Sequence, residues 1–82
     1  MWVLIVMRDT LAQRLRQCRK EHGLTQREVA VYSDITEHAY QNYELGVREP
    51  KISILMRIAV LYKVSMDYLV GLTDDPNPVN RK

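Results

Sequence analysis

Residues 36–44 read TEHAYQNYE and concentrate side chains that make directional hydrogen bonds. On a helix, which turns by about 100° per residue, one face would carry Glu37, His38, Gln41 and Asn42. The other, buried side would carry Thr36, Ala39, Tyr40 and Tyr43. Side-chain amides both donate and accept hydrogen bonds, an imidazole nitrogen can do one or the other, and a carboxylate only accepts them. The first face is therefore suited to recognising a partner by a pattern of hydrogen bonds, although it contains no lysine or arginine.

Cys18 and His22 are a second pair whose spacing could do chemistry, because residues four apart lie together on a helix. They could share a metal ion or form a nucleophile and its base. Cys18, however, continues the apolar pattern of Leu11 and Leu15, and neither a third ligand nor a glycine-rich phosphate loop accompanies the pair. We therefore predict no enzyme, no metal site and no cofactor. A single cysteine also excludes an intrachain disulfide, which fits a reducing cytoplasm.

The elements that would position these residues are helices. The chain has 82 residues, enough for one domain, and 46% of them are hydrophobic, with only three Gly and three Pro. Helical spacing predicts a first helix from Asp9 or Thr10 and a central fourth helix over residues 52–62. Three basic residues of the first helix would face water: Arg14, Arg16 and Lys20. Helix 2, a tight turn and helix 3 have the shape of a helix-turn-helix, within a compact all-α bundle of five short helices.

Capping residues mark the ends of these helices. Thr25, followed by Glu28, forms a capping-box pattern at the start of helix 2, and Gly46 ends helix 3. Two further residues are predicted N-caps, of helices 3 and 5: Thr36 and Ser65. The hydrogen-bonding segment is therefore predicted to begin and end as a helix within residues 36–46.

Both ends of the chain fall outside this pattern. Residues 1–7, MWVLIVM, form an apolar extension that favours a short β-strand. Because a lone strand is unstable, we expect it either to pair with a second subunit or to lie over the helices. It is too short to span a membrane and lacks the charged start of a signal peptide, so we expect a cytoplasmic protein with no membrane partner. Residues 73–82 are predicted to be a flexible tail.

Three stretches resemble the DNA-binding domain of the phage-repressor and Cro-like (XRE) regulators: LRQCRKEHGLTQREVA, YQNYELGVREP and RIAVLYKVSMDYLVGL. The resemblance implies a lambda-repressor-like domain over residues 8–72. It also implies a regulator of transcription, typically a repressor, that binds double-stranded operator DNA as a dimer. The sequence departs from the family at Asp34, where the turn usually has Gly. Asp adopts the left-handed conformation more readily than most residues, so we expect some strain and the same fold.

The resemblance places helix 3 in the major groove. Four of its residues would read or approach the base edges: Glu37, His38, Gln41 and Asn42. Their chemistry agrees, because Asn pairs with adenine, His can donate to guanine, and Glu accepts from the cytosine amino group.

A second set of residues is expected at the DNA phosphates: Gln26, Arg27, Thr36, Arg48, Lys51 and Arg19. Gln26 would also brace helix 3. In similar phage repressors a glutamate at the position of Glu44 pairs with an arginine of helix 1, which predicts an Arg19–Glu44 ion pair. This pair would remove one glutamate from the surface that meets the DNA.

Two alternatives stay open at this stage. A homodimer on palindromic DNA could form through paired Met1–Met7 strands, or through helix 5 with its tail. The alternative function is an antitoxin, or another interaction module whose main partner is a protein, and the apolar residues 1–7 favour it. No small-molecule ligand is predicted.

Overall fold

The computed structural model describes the backbone of residues 2–78 and the side chains of residues 8–78, and this part of the chain is all-α. Its helices are α1 (Trp2–Glu21), α2 (Gln26–Ser33), α3 (Glu37–Leu45), α4 (Ile52–Tyr62) and α5 (Met66–Val70). The predicted bundle of five helices is therefore confirmed. Within these residues no helix is both long and apolar enough to cross a membrane.

One hydrophobic core holds the helices together. α3 packs against both α1 and α2, α4 packs against α2, and α5 packs against α1 and α4. The largest completely buried side chains come from all five helices: Leu15, Val29, Tyr40, Ile58, Tyr62 and Leu69. Tyr40 is the part of α3 that faces this core, so the opposite side of α3 is left at the surface.

The predicted caps around α2 and α3 are present. Thr25 and Glu28 form a reciprocal capping box, and the Thr36 hydroxyl accepts from the Ala39 N–H at 3.0 Å. Asp34 ends α2 in the left-handed conformation, with φ 60°, and Gly46 ends α3 with φ 76°. Local sequence therefore defines both ends of the helix-turn-helix.

The N-terminal segment is helical, so the predicted strand is wrong. Residues 2–7 continue α1, and the helix does not begin at Asp9 or Thr10. A strand needs a partner for its N–H and C=O groups, whereas a turn added to an existing helix satisfies them internally without a new nucleation step. Met1, the first residue of the proposed strand, lies outside the described residues. Strand pairing of residues 1–7 is therefore no longer a basis for a dimer.

Arg14 is not a solvated charge, contrary to its predicted position. Its Nη1 donates to the carbonyl oxygens of Tyr68 and Thr73, the latter at 2.7 Å, and its Nη2 donates to Asp74 at 2.8 Å. The guanidinium also lies 4.1 Å above the Tyr68 ring. These contacts hold the residues that follow α5 against α1. The flexibility predicted for residues 73–82 stays a prediction, and residues 79–82 lie outside the described part.

Candidate nucleic-acid interface

The hydrogen-bonding residues of α3 lie on its outward side. Glu37 and His38 are exposed at the start of the helix, and Gln41 and Asn42 follow one turn later and are half-buried. Leu45, at the end of the same side, is 70% exposed. The α3 helix is therefore a ridge that presents these polar side chains to a partner.

A groove of about 540 Å³ runs along one flank of this ridge, between α3 and the start of α4, and is called the α3–α4 groove below. Five of the predicted DNA-contacting residues line it: Thr36, His38, Asn42, Arg48 and Lys51. Both basic side chains are exposed. The structure thus brings two predicted base-reading residues next to three predicted phosphate-binding residues.

Thr36 is exposed and not on the buried side of α3, where the angular prediction placed it. The reason is its position as N-cap, with extended backbone angles of φ −75° and ψ 153°. A residue outside the helical repeat does not follow the 100° rotation. Its exposure leaves Thr36 accessible beside the α3–α4 groove.

A smaller groove of about 280 Å³ lies on the opposite flank of α3, against α1 and α2, and is called the α1–α3 groove. Gln26 and Gln41 line it together with Arg16, Glu44 and Leu45. Arg27 is exposed on the same first turn of α2 as Gln26. The predicted residues are therefore divided between the two flanks of α3, with Glu37 at its tip.

The predicted partners Arg19 and Glu44 are in contact. Glu44 is 2% exposed, and Arg19 binds it through two bonds, Nε to Oε2 at 2.7 Å and Nη2 to Oε1 at 3.2 Å. Gln26 Nε2 donates to the same Oε1 at 3.0 Å. One buried carboxylate therefore joins α1 and α2 to the inner side of α3, and Gln26 contacts α3 through it.

The carboxyl group of Glu44 remains charged despite its burial. Burial alone raises its pKa, but hydrogen bonds from Arg19, Tyr40 and Gln26, with the charge of Arg19, outweigh that effect and lower the pKa below the usual 4.5. Because the charge is paired inside the protein, Glu44 contributes little negative potential to the outward side of α3.

Arg19 is less available to a phosphate than the other predicted residues. All three guanidinium nitrogens donate within the protein, Nη1 to the Leu24 carbonyl oxygen at 3.1 Å, and only 15% of the side chain is exposed. Its ion pair fixes α3, and its phosphate contact stays a prediction.

Arg16 is a candidate that the sequence interpretation treated only as a solvated charge. It is exposed, lines the α1–α3 groove, and its Nη1 donates to the Glu44 carbonyl oxygen at the end of α3. The signal was available, because Arg16 precedes Arg19 by three residues and so lies on the same side of α1. A helix C-terminus attracts cations, which holds this charge beside Gln26 and Gln41.

Cys18 and His22 do not form a nucleophile pair. Cys18 is 3% exposed, and burial raises the pKa of its thiol. His22 Nδ1 lies 2.9 Å from the backbone oxygen of Cys18. Because a carbonyl oxygen can only accept, His22 Nδ1 is the donor, and the imidazole makes a structural hydrogen bond at the end of α1.

Known proteins resemble the chain along most of its length. The helix-turn-helix family HTH_3 matches residues 15–69. The chain is 48% identical over 71 residues to YobD, named an uncharacterized HTH-type transcriptional regulator, of Bacillus subtilis (strain 168), covering 85% of this chain and 63% of that protein. It is 39% identical over 62 residues to the HTH-type transcriptional regulator ImmR of the same organism, covering 76% of this chain and 49% of that protein. The chain thus matches about half to two thirds of the length of these relatives. No solved structure gives a significant match.

Proposed function

The chain belongs to the helix-turn-helix family HTH_3, and from that premise we propose that it is a sequence-specific, double-stranded DNA-binding regulator of transcription. In this proposal α3 enters the major groove, whose width of about 12 Å admits one helix. By occupying its operator, the protein acts as a repressor. Catalysis has no part in it.

The observation that supports this function best is the distribution of side chains around α3. The two DNA backbones border the major groove, so a helix within it needs phosphate contacts on both flanks. Arg48 and Lys51 line one flank, and Gln26 and Arg16 line the other. Arg27, exposed beside Gln26, adds a further positive charge on that second flank.

The polar side chains on the outward side of α3 supply the sequence readout in this proposal. His38 and Asn42 face the α3–α4 groove and Gln41 faces the α1–α3 groove. Asn42 is suited to adenine and His38 to the acceptors of guanine. Glu37 is the one acid on the outward side of α3, because Glu44 is paired with Arg19. It accepts from cytosine or penalises other bases.

A dimer is part of the proposal because one α3 reads only a few base pairs, and two copies about 34 Å apart read both halves of a palindrome. With strand pairing of residues 1–7 removed, helix 5 and its surroundings remain. An apolar groove there is lined by Met56, Val60, Met66 and Pro78. Val60 is 69% exposed, so burial against a second copy would remove apolar surface from water.

The same apolar groove supports the second candidate function, an antitoxin or other interaction module whose main partner is a protein. Such a partner would cover Met56 and Val60, and DNA binding would then be secondary. A stable complex with a second, different chain after expression in the native host would favour this alternative. A homodimer that binds DNA would favour regulation.

Selection of bound duplexes from a random DNA library tests the proposed function. We expect one palindromic sequence to be enriched, with half-sites one helical turn apart. The control is a double variant, His38→Ala with Asn42→Ala, whose two positions are surface residues of α3; it should enrich nothing. If the wild-type protein enriches no sequence beyond this control, the proposed function is wrong.

A further inference from the structure

A chain of buried polar groups lies behind α3, on the side away from the proposed DNA. The hydroxyl of Tyr40, on α3, is 2.6 Å from the hydroxyl of Tyr62, at the end of α4. Both tyrosines are almost completely buried, at 0% and 1% exposed. A hydroxyl pair in a hydrophobic core is costly unless both groups are satisfied. This pair therefore has to be understood together with its neighbours.

The direction of the hydrogen bonds follows from the charge at one end. Glu44 is one helical turn after Tyr40, and both side chains are buried on the same side of α3, at 2% and 0% exposed. The Tyr40 hydroxyl is one of the neighbours that lower the pKa of the Glu44 carboxyl, which keeps that group ionised. Burial raises the pKa of both tyrosines, so each hydroxyl keeps its proton. A carboxylate cannot donate. The Tyr40 hydroxyl therefore turns its proton towards Glu44 and accepts a hydrogen bond from the Tyr62 hydroxyl, 2.6 Å away.

The series of buried polar groups ends, on its other side, at the side-chain amide of Gln26. Its Nε2 donates to Glu44 Oε1 at 3.0 Å, and the carboxylate requires the NH₂ group, and not the oxygen, to face inwards. One N–H of that NH₂ group is used by Glu44. The second N–H is left for an acceptor outside the protein.

The backbone around Gln26 reinforces this orientation. Gln26 is the first residue of α2, where backbone N–H groups have no helical acceptor. The N–H of Glu28 is already taken by the Thr25 hydroxyl at 3.0 Å. The remaining backbone N–H groups of the first turn point out of the N-terminal end of α2. The positive end of the helix dipole lies at the same place and favours an anion.

We propose that Tyr62 is a positioning residue for phosphate binding at Gln26, and that it acts through Tyr40 and Glu44 without touching the DNA. The inference rests on the proposed function, because the anion at Gln26 is taken to be a DNA phosphate. Tyr62 holds the Tyr40 hydroxyl, which holds the carboxylate, which fixes the amide. A residue of α4 thus determines how the opposite surface of the domain meets the DNA backbone.

The first experiment needs no DNA and compares three proteins by NMR: wild type, Tyr62→Phe and Tyr32→Phe. Tyr62→Phe keeps the buried ring and removes one hydroxyl, whereas Tyr32 is half-exposed and serves as the control. We expect Tyr62→Phe to move the Gln26 side-chain NH₂ signals and to speed hydrogen exchange at that group. The control should leave both unchanged. An unchanged Gln26 signal in folded Tyr62→Phe would overturn the proposal.

The second experiment is a double-mutant cycle on the selected DNA. Tyr62→Phe should weaken binding about 3- to 10-fold, the effect of one misplaced hydrogen bond, but should add nothing to Gln26→Ala. An equal loss in both backgrounds would show a merely structural role and contradict the inference. If no duplex binds while the Gln26 signals still respond to Tyr62→Phe, the phosphate role and the proposed function are both wrong, and only the hydrogen-bond chain stands.

Discussion

Glu44 connects α3 to both α1 and α2. Its carboxylate receives two bonds from Arg19 and one from Gln26 inside the protein. Removing one partner of a buried ion pair leaves the other charge unpaired, at a cost of about 3–5 kcal/mol. We predict that Glu44→Ala lowers the free energy of unfolding by that amount, measured by urea denaturation at pH 7. A denaturation curve like that of wild type would contradict the structural role of the pair.

The lowered pKa of Glu44 predicts a pH dependence of stability. Because the pKa is lower in the folded than in the unfolded protein, the stabilisation is complete above the usual value of 4.5. It is lost as the pH falls from there through the folded-state pKa. Wild type should therefore lose stability more steeply on acidification below about pH 4.5 than Glu44→Gln, which cannot titrate at this position. Parallel pH profiles of the two proteins would contradict this prediction.

At the scale of elements, two helices end at non-glycine residues in the left-handed conformation. Lys63 ends α4 with φ 59°, and Asp34 ends α2 with φ 60°. This conformation costs a side chain such as Lys about 1 kcal/mol, and Asp less. We predict that Lys63→Gly raises the free energy of unfolding by about 1 kcal/mol and that Asp34→Gly raises it by less. Thermal denaturation measures both.

The control for this prediction is Lys63→Ala, which removes the same side-chain charge and keeps the Cβ. It should bring no gain in stability. If Lys63→Ala stabilises the protein as much as Lys63→Gly, the strain at the end of α4 is not the cause.

The ends of α2 and α3 were predictable from local sequence patterns, whereas most long-range contacts were not. Thr25, Thr36 and Gly46 act within a few residues of their own position, so local patterns identify them. The prediction for residues 1–7 failed because a short apolar run fits a strand and a helix equally well. Residues 2–7 are helical because they extend the helix that follows them in the sequence. The prediction for Arg14 failed because its acceptors lie more than 50 residues away, and no local pattern contains them.

For the candidate site, too, the sequence predicted which residues lie on the outward side of α3, but not how they are arranged relative to the other helices. Rotation by 100° identified the outward side of α3, and the family resemblance assigned Arg19 to Glu44. Which flank each residue occupies depended on how α3 packs against α1 and α2. The hydroxyl pair of Tyr40 and Tyr62 joins residues 22 apart in the chain, so sequence periodicity gave no sign of it.

At the scale of the whole molecule, the surface around α4 and α5 is the proposed contact between two copies. Val60 lies there and is 69% exposed, and Val31 on α2 is 71% exposed. We predict that Val60→Asp prevents formation of the proposed dimer, because a charge in an apolar contact is costly. Val31→Asp, the matched control, should leave the mass unchanged. Light scattering gives the mass, and a dimeric Val60→Asp would exclude this surface.

The central claim is that basic residues on both flanks of α3 position the protein on DNA while the polar side chains on the outward side of α3 read the sequence. Equilibrium binding at several salt concentrations, on the selected duplex and on a scrambled one, tests it most directly. The comparison uses wild type, Arg48→Ala and Asn42→Ala. Arg48→Ala should weaken binding to both duplexes alike and lower the salt slope by about 0.9 for each phosphate that the variant no longer neutralises.

Asn42→Ala should keep the salt slope and reduce the preference for the selected duplex by roughly 10- to 100-fold, as expected when one bidentate hydrogen-bond pair to a base is removed. The two variants would then separate positioning from reading. If Arg48→Ala alters sequence preference while Asn42→Ala weakens both duplexes equally, or if the two variants behave alike, the claim is contradicted.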